Sequence, residues 1–237
     1  MKKYFVCVLI LCFSISFSQN PKKISVHYKT KSLINIDALD EETKSNPMKI
    51  RYAKKLKKNY EDIEYILNID GNSSIFNTVG KMNVSNEKNT IYDLQQSNSF
   101  YVDNTKYIEQ IEFLGQNFLI TEPSKIITWV LSNDTKEILG YKCLKAIYRN
   151  EGVENILIEA WYSPEIPHQF GPKGFHGLPG LILEIKQNDK LVYTASKINW
   201  DVKFFVIKPT KGKTISQSNF DNIVGNYSKE IKSYSKN

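Results

Sequence analysis

Residues 177–182 read Gly177-Leu178-Pro179-Gly180-Leu181-Ile182, and this hexapeptide is the most informative stretch of the chain. A Gly-Pro pair, Gly171-Pro172, lies just upstream. Glycine permits positive φ and close backbone contact, and proline fixes φ, so the spacing predicts a tightly shaped loop. The apolar runs on either side predict strands. We take Gly171, Pro172, Gly177, Pro179 and Gly180 as a structural motif, the Pro/Gly loop.

A longer pattern surrounds the hexapeptide. Trp161-Tyr162 is followed by a Pro-x-Ile-Pro run at 164–167, and the hexapeptide continues into Leu183-Glu184. Together these residues resemble the GLPGLI family, which is named for the hexapeptide, and the match covers roughly residues 137–198. The family's members are secreted or envelope proteins of Bacteroidetes without an established function. The resemblance therefore implies export but identifies no chemistry.

The first 18 residues are typical of a secretory signal peptide. Two lysines precede an apolar run, and Ser16-Phe17-Ser18 supplies a small-x-small cleavage site before Gln19. The apolar run is shorter than the ~20 residues of a membrane-spanning helix, which disfavours the alternative of an anchor. We expect an exported protein, periplasmic or extracellular, with one β-rich domain over 19–237 and no transmembrane segment in the mature chain.

Composition excludes several classes of protein. Removal of the signal would leave Cys143 as the one remaining cysteine, so the fold would rely on its core rather than on a disulfide. The formal net charge is +7, and its densest cluster, Lys54-Lys55-Leu56-Lys57-Lys58, is followed at once by acids. Such a run is typical of a solvated helix face. Because no nucleic-acid motif accompanies it, we predict no nucleic-acid partner.

Alternating apolar and polar residues predict strands along most of the chain. The candidate strands are 23–30, 61–69, 73–79, 99–102, 107–113, 117–121, 126–132, 137–148, 155–162, 181–186 and 191–197. Asp70-Gly71-Asn72 predicts a hairpin turn, and the last four strands predict a meander. These patterns favour a mainly β protein with a curved antiparallel sheet, similar to the lipoprotein-carrier half-barrel. A closed barrel and a two-sheet sandwich are the alternatives.

Two segments have helical spacing. Residues 47–59 follow Asn46, which is a suitable N-cap. Residues 218–233 place apolar side chains on one stripe, and we expect this C-terminal helix to pack on the core. The stripe consists of Phe220, Ile223, Val224, Tyr227 and Ile231.

Three residues could bind a metal. His168 and His176 flank the Pro/Gly loop, and Cys143 lies on a nearby predicted strand. Thiolate and imidazole are suitable ligands for Zn(II) or Cu(I). The spacing matches no standard metal signature, and a lone cysteine in a strand is usually a small buried hydrophobe. A metal-handling role is therefore an alternative, and the cofactor is not identified.

The sequence favours binding over catalysis. It contains no Gly-x-Ser-x-Gly elbow, phosphate loop or dinucleotide fingerprint, and Cys143 lies in mid-strand, a poor position for a nucleophile. One interpretation of the Pro/Gly loop is a tight crossover with Leu178 in the core. In the other, Trp161, Phe170, Phe175 and Leu178 surround the mouth of an apolar cavity. We predict a non-enzymatic protein that binds an apolar ligand or an envelope-protein partner segment; an enzyme is the remaining alternative.

Overall fold

The computed structural model describes residues 23–59, 63–79, 99–150, 156–188 and 190–234. The predicted signal peptide lies outside them. The strands are β1 (Ile24–Ser32), β2 (Glu64–Asp70), β3 (Ser73–Thr78), β4 (Ser99–Val102), β5 (Lys106–Phe113), β6 (Gln116–Pro123), β7 (Val130–Ile138), β8 (Tyr141–Asn150), β9 (Ile156–Ser163), β10 (Leu181–Gln187), β11 (Leu191–Trp200) and β12 (Lys213–Ile215). The helices are α1 (Glu41–Ser45), α2 (Pro47–Asn59) and α3 (Gln217–Tyr234). The protein is mainly β, as predicted.

All the described strands belong to one 12-stranded sheet. Its order is β12-β6-β5-β4-β3-β2-β1-β11-β10-β9-β8-β7. Every pairing is antiparallel except that of β12 with β6, which is parallel. The predicted meander is confirmed, because β8, β9, β10 and β11 are successive neighbours. Since β7 and β12 end the sheet, it is open, and the closed-barrel alternative is wrong.

One face of the sheet is apolar from β1 to β3 and from β8 to β11. In β1 the side chains of Ile24, Val26 and Tyr28 alternate into a core that excludes solvent. The same alternation places Tyr65, Leu67, Phe76 and Tyr193 in this core from neighbouring strands. We call this side the apolar face and the opposite side the polar face. Because successive side chains of a strand point to opposite sides of the sheet, one strand contributes residues to both faces.

Helix α3 covers the apolar side chains of β5 and β6. The ring centroid of Phe220 lies 5.7 Å from that of Phe113 and 5.6 Å from that of Phe118, with the rings edge to face. Tyr227 approaches Phe113 at the same 5.7 Å. The prediction that this helix packs on the core is confirmed for the described part of its stripe. No helix in the described part of the chain is long and apolar enough to cross a membrane.

The N-terminal helix has the bounds that its sequence predicts. Asn46 accepts hydrogen bonds through Oδ1 from the backbone N–H groups of Met48 and Lys49, at 3.0 and 3.2 Å. This is the N-cap geometry expected of asparagine, because it satisfies donors that the first helical turn leaves unpaired.

Two predicted strand boundaries are wrong. The predicted strand 137–148 is interrupted by a hairpin turn at Leu139 and Gly140, whose φ angles are +53° and +82°. The turn falls within Ile138-Leu139-Gly140-Tyr141, a largely apolar run, so the hydrophobic pattern alone does not locate it. The predicted strand 126–132 also begins too early, since β7 starts at Val130. Short elements such as α1 and β12 gave no periodic signal.

Candidate functional site

The Pro/Gly loop leaves β9 and folds back along β10. The backbone N–H of Leu181 donates to the carbonyl of Ile166 at 3.0 Å, and that of Ile182 donates to the carbonyl of Phe170 at the same distance. A single 3-10 turn, Pro172–Gly174, lies at the far end of the loop. The loop is thus an ordered structure held by its own backbone.

The far end of the loop contacts strands on the other half of the sheet. Gly174 lies so close to Tyr107 of β5 that a Cβ on it would be 2.7 Å from the tyrosine ring. The ammonium of Lys173 is 5.6 Å from the ring centroid of Phe100 of β4. In addition, Tyr28 of β1 donates its hydroxyl hydrogen bond to the carbonyl of Ile182 at 2.6 Å. The loop therefore joins sheet regions far apart in strand order.

His176 fixes the loop to the segment that follows β6. Its Nδ1 lies 2.8 Å from the carbonyl oxygen of Gly174, and its Nε2 lies 3.3 Å from the hydroxyl of Ser124. Because a carbonyl only accepts, Nδ1 is the donor to Gly174, and Nε2 forms the hydrogen bond with the Ser124 hydroxyl. The indole of Trp129 donates to the carbonyl of His176 at 2.9 Å. Both ring nitrogens thus have protein partners.

The other two predicted metal ligands are buried. Cys143 is fully buried, and His168 is almost so. Burial is the main cause that raises the pKa of the Cys143 thiol to about 11. Within the described ranges, no group of three or more His, Cys, Asp or Glu side chains could hold a metal ion. The structure therefore does not assemble Cys143, His168 and His176 into a metal centre.

The raised pKa of Cys143 predicts an unreactive thiol. A thiol reagent attacks the thiolate, and burial both removes the thiolate and blocks access to it. We expect no reaction with Ellman's reagent at pH 8 in the native protein and full reaction in denaturant. Because the thiol holds its proton more tightly in the folded than in the unfolded protein, its contribution to the free energy of unfolding is fully present below pH 9. This contribution is lost as the pH rises from 9 toward 11. Rapid native labelling would contradict this assignment.

The four predicted ligand-binding residues lie in or against one apolar core, each in a different setting. Leu178 is 1% exposed and fills the core. Phe175 packs edge to face on Trp129, with ring centroids 6.1 Å apart, and Phe170 also contacts the core. Trp161 also packs partly buried against this core, but its neighbours along β9 point into the core, and its indole contacts Lys136 and Lys145 on the polar face.

Trp161 is the centre of a cluster of charged groups on β7 to β11. Cross-strand pairing places Trp161 between Lys145 of β8 and Glu184 of β10, and Glu184 opposite Thr194 of β11. Two positions earlier on β9, Glu159 pairs with Lys186 of β10. We call this set the polar cluster; it comprises Asp134, Lys136, Lys145, Glu159, Trp161, Glu184, Lys186 and Thr194.

Ion pairs connect the polar cluster on both sides of the indole. Lys136 lies 4.4 Å from the centroid of the Trp161 ring and 2.5 Å from a carboxylate oxygen of Glu184. The second oxygen of Glu184 accepts a hydrogen bond from the Thr194 hydroxyl at 2.9 Å. On the other side, Glu159 binds Lys145 at 3.1 Å and Lys186 at 2.5 Å.

The electrostatics of the cluster favour the ionised carboxylate of Glu159. Partial burial alone would raise the pKa of Glu159, but its hydrogen bonds with Lys186 and Lys145 outweigh that effect and lower the pKa. The side chains of Glu159 and Glu184 keep 19% and 17% of their surface exposed. The cluster can therefore offer an aromatic surface, fixed carboxylate acceptors and ammonium donors to a bound molecule.

Sequence reasoning did not identify this cluster. It assigned Trp161 to the mouth of a cavity because the residue is close in sequence to the Pro/Gly loop. A signal was nevertheless present: Glu159 and Trp161 alternate with apolar residues along β9, which places them on the face opposite to the core.

Comparison with known proteins identifies relatives. A family model described as "N-glycanase peptide, N-terminal domain" matches residues 50–224. The structure of PNGF-II in space group C2 superposes with a TM-score of 0.55 at 13% identity, covering 86% of this chain and 32% of that chain. PNGF-II in space group P21 gives 0.54 at 14% identity, covering 85% and 33%. The chain thus spans about a third of these solved structures. No curated protein matches it.

Proposed function

This chain belongs to the family of N-glycanase peptide N-terminal domains, and we propose that it is an exported, non-catalytic domain that binds the glycan of a glycoprotein partner. The observation that carries the proposal is the polar cluster around Trp161. The sequence predicts a partner segment of unspecified chemistry, and the proposal takes that segment to be a glycosylated polypeptide. Three predictions from the sequence are independent of this family membership and remain predictions: the resemblance to the GLPGLI family, the export signal and the half-barrel fold.

The chemistry of the cluster suits a sugar. A pyranose ring has a C–H face that packs on an indole, whose π surface is electron-rich. Its hydroxyl groups both donate and accept hydrogen bonds, and those made to charged partners are the stronger ones. Glu184 and Glu159 supply acceptors on either side of Trp161, while Lys136 and Lys145 supply donors. Across β8, β9 and β10, the indole of Trp161 thus lies between a charged group on each neighbouring strand.

The charge balance of the cluster favours a neutral polyol over a phosphate or a polyanion. Its three lysines face three carboxylates, so no net positive field is available to attract an anion. The pairs also hold each other in place before a ligand arrives. Such preorganisation lowers the entropy lost when polar groups are immobilised on binding.

The other predicted roles have weaker support from the geometry. For an apolar ligand, Leu178 already fills the interior that a cavity would need. For a metal, Cys143 keeps its proton and both nitrogens of His176 are engaged. For a nucleophilic enzyme, the same buried thiol is a poor attacking group. A glycan-binding surface, in contrast, needs neither an empty interior nor a free thiolate or imidazole.

Calorimetric titration of the purified protein with an N-linked glycopeptide tests the proposal. We expect binding in the micromolar to millimolar range that falls about tenfold or more in Trp161→Ala and in Glu184→Gln, because each change removes one central contact. Trp200→Ala is the matched control, since Trp200 is a half-exposed tryptophan outside the cluster. Binding of the deglycosylated peptide with equal affinity would instead indicate recognition of the polypeptide.

A further inference from the structure

The segment between β11 and β12 presents an unusual surface. It lies extended, and its side chains alternate: Val202, Phe204 and Val206 are half-buried, whereas residues 203, 205 and 207 are exposed. Val206 packs against a small cluster on β4 to β6. The ammonium of Lys23 donates to the carbonyl of Phe204 at 2.9 Å, which fixes the segment on the sheet.

The exposed side of this segment carries large apolar side chains close together in sequence. Phe205 is 80% exposed and Ile207 is 74% exposed, and Trp200 at the start of the segment is 42% exposed. Single exposed apolar residues are common, but large neighbouring ones indicate a surface that another molecule covers. Because the backbone here is anchored, these side chains have a defined outward direction.

Lysines surround these apolar side chains. Between residues 200 and 213 the chain has four exposed lysines and a single acid, Asp201. The lysines are Lys203, Lys208, Lys211 and Lys213. Lys23 lies 4.3 Å from the centroid of the Phe205 ring, but its charge is offset by Asp70, 2.8 Å away, so the positive charge of this surface comes from the other four. We call residues 200–213 the basic apolar segment.

We propose that the basic apolar segment binds the surface of an anionic lipid bilayer. Phe205 and Ile207 enter the boundary between head groups and acyl chains, and the lysines pair with lipid phosphates. Aromatic and aliphatic side chains beside lysines are typical of interfacial membrane binding. Lysine is depleted at protein–protein interfaces, which disfavours a second protein as the occupant. A polyanion without an apolar region would leave Phe205 and Ile207 uncovered.

Vesicle co-sedimentation tests this proposal with the purified exported protein. We expect binding to phosphatidylcholine vesicles that contain phosphatidylglycerol, little binding to pure phosphatidylcholine, and weaker binding at high salt. Phe205→Ser combined with Ile207→Ser should reduce the binding constant for anionic vesicles about tenfold or more. Ile126→Ser is the matched control, because Ile126 is 97% exposed in a different region of the chain.

The alternatives give different results. Since both replaced residues are exposed, the double variant should melt as the wild type does, so a loss of binding would not reflect unfolding. Unchanged vesicle binding of the double variant would overturn the proposal, as would failure of the wild type to bind either vesicle. A dimer that dissociates in the double variant, without vesicle binding, would assign the surface to a second copy of the chain. The test uses no residue of the polar cluster, so it is independent of glycan binding.

Discussion

Replacing Gly180 by alanine is expected to destabilise the protein by about 3 kcal/mol or more. A Cβ at this position would lie 2.1 Å from the carbonyl oxygen of Ser163 and 2.8 Å from the backbone nitrogen of Pro164. Both contacts are with backbone, so no side chain can rotate away to relieve them. The loop and the end of β9 would have to separate, which would also disturb the contacts that join the two halves of the sheet. Urea unfolding of the variant measures the loss.

Gly177→Ala is the control for this prediction. Gly177 also has a positive φ, +89°, but no atom lies within 4 Å of a Cβ placed on it. We expect it to cost about 1 kcal/mol, from backbone strain alone. If both variants lose the same stability, the close contact of Gly180 with Ser163 is not the reason for the glycine.

Replacing Phe76 by alanine is expected to cost about 4 kcal/mol. Phe76 is fully buried at the centre of an aromatic group in the apolar face. Its ring is stacked on Tyr65 with centroids 5.0 Å apart, and it meets Tyr28 and Tyr193 edge to face at 5.9 and 6.0 Å. The substitution would remove these contacts and leave a cavity that the rigid strands cannot close.

Phe205→Ala is the matched control for Phe76, because it removes the same side chain from a position that is 80% exposed. Its melting temperature should remain close to that of the wild type. Equal losses in the two variants would contradict the assignment of Phe76 to the centre of the core.

Much of the fold was predictable because local patterns determine it. The spacing after Asn46 gave the bounds of α2, and the Asp70-Gly71-Asn72 turn gave the hairpin of β2 and β3. The error at Gly140 has a physical cause: the turn falls within Ile138-Leu139-Gly140-Tyr141, a largely apolar run that resembles the interior of a strand. Strand pairing, rather than periodicity, reveals that turn.

The site was less predictable, because it depends on contacts between distant residues. Nothing near the Pro/Gly loop indicates that Gly174 packs on Tyr107, which comes from another part of the chain. The polar cluster likewise depends on the register of five neighbouring strands, which sequence periodicity does not provide. Proximity in sequence therefore assigned Trp161 to the loop, whereas strand alternation places it on the opposite face.

If Trp161 is the contact point for a glycan, its indole N–H signal should respond when a glycan binds. The chain has three tryptophans, so a nitrogen–proton correlation spectrum of the labelled protein should contain three indole signals, which single substitutions would assign. On titration with an N-linked glycopeptide we expect the Trp161 signal to shift in proportion to binding, while those of Trp129 and Trp200 stay in place. A Trp161 signal that does not move when the glycopeptide binds would contradict the claim.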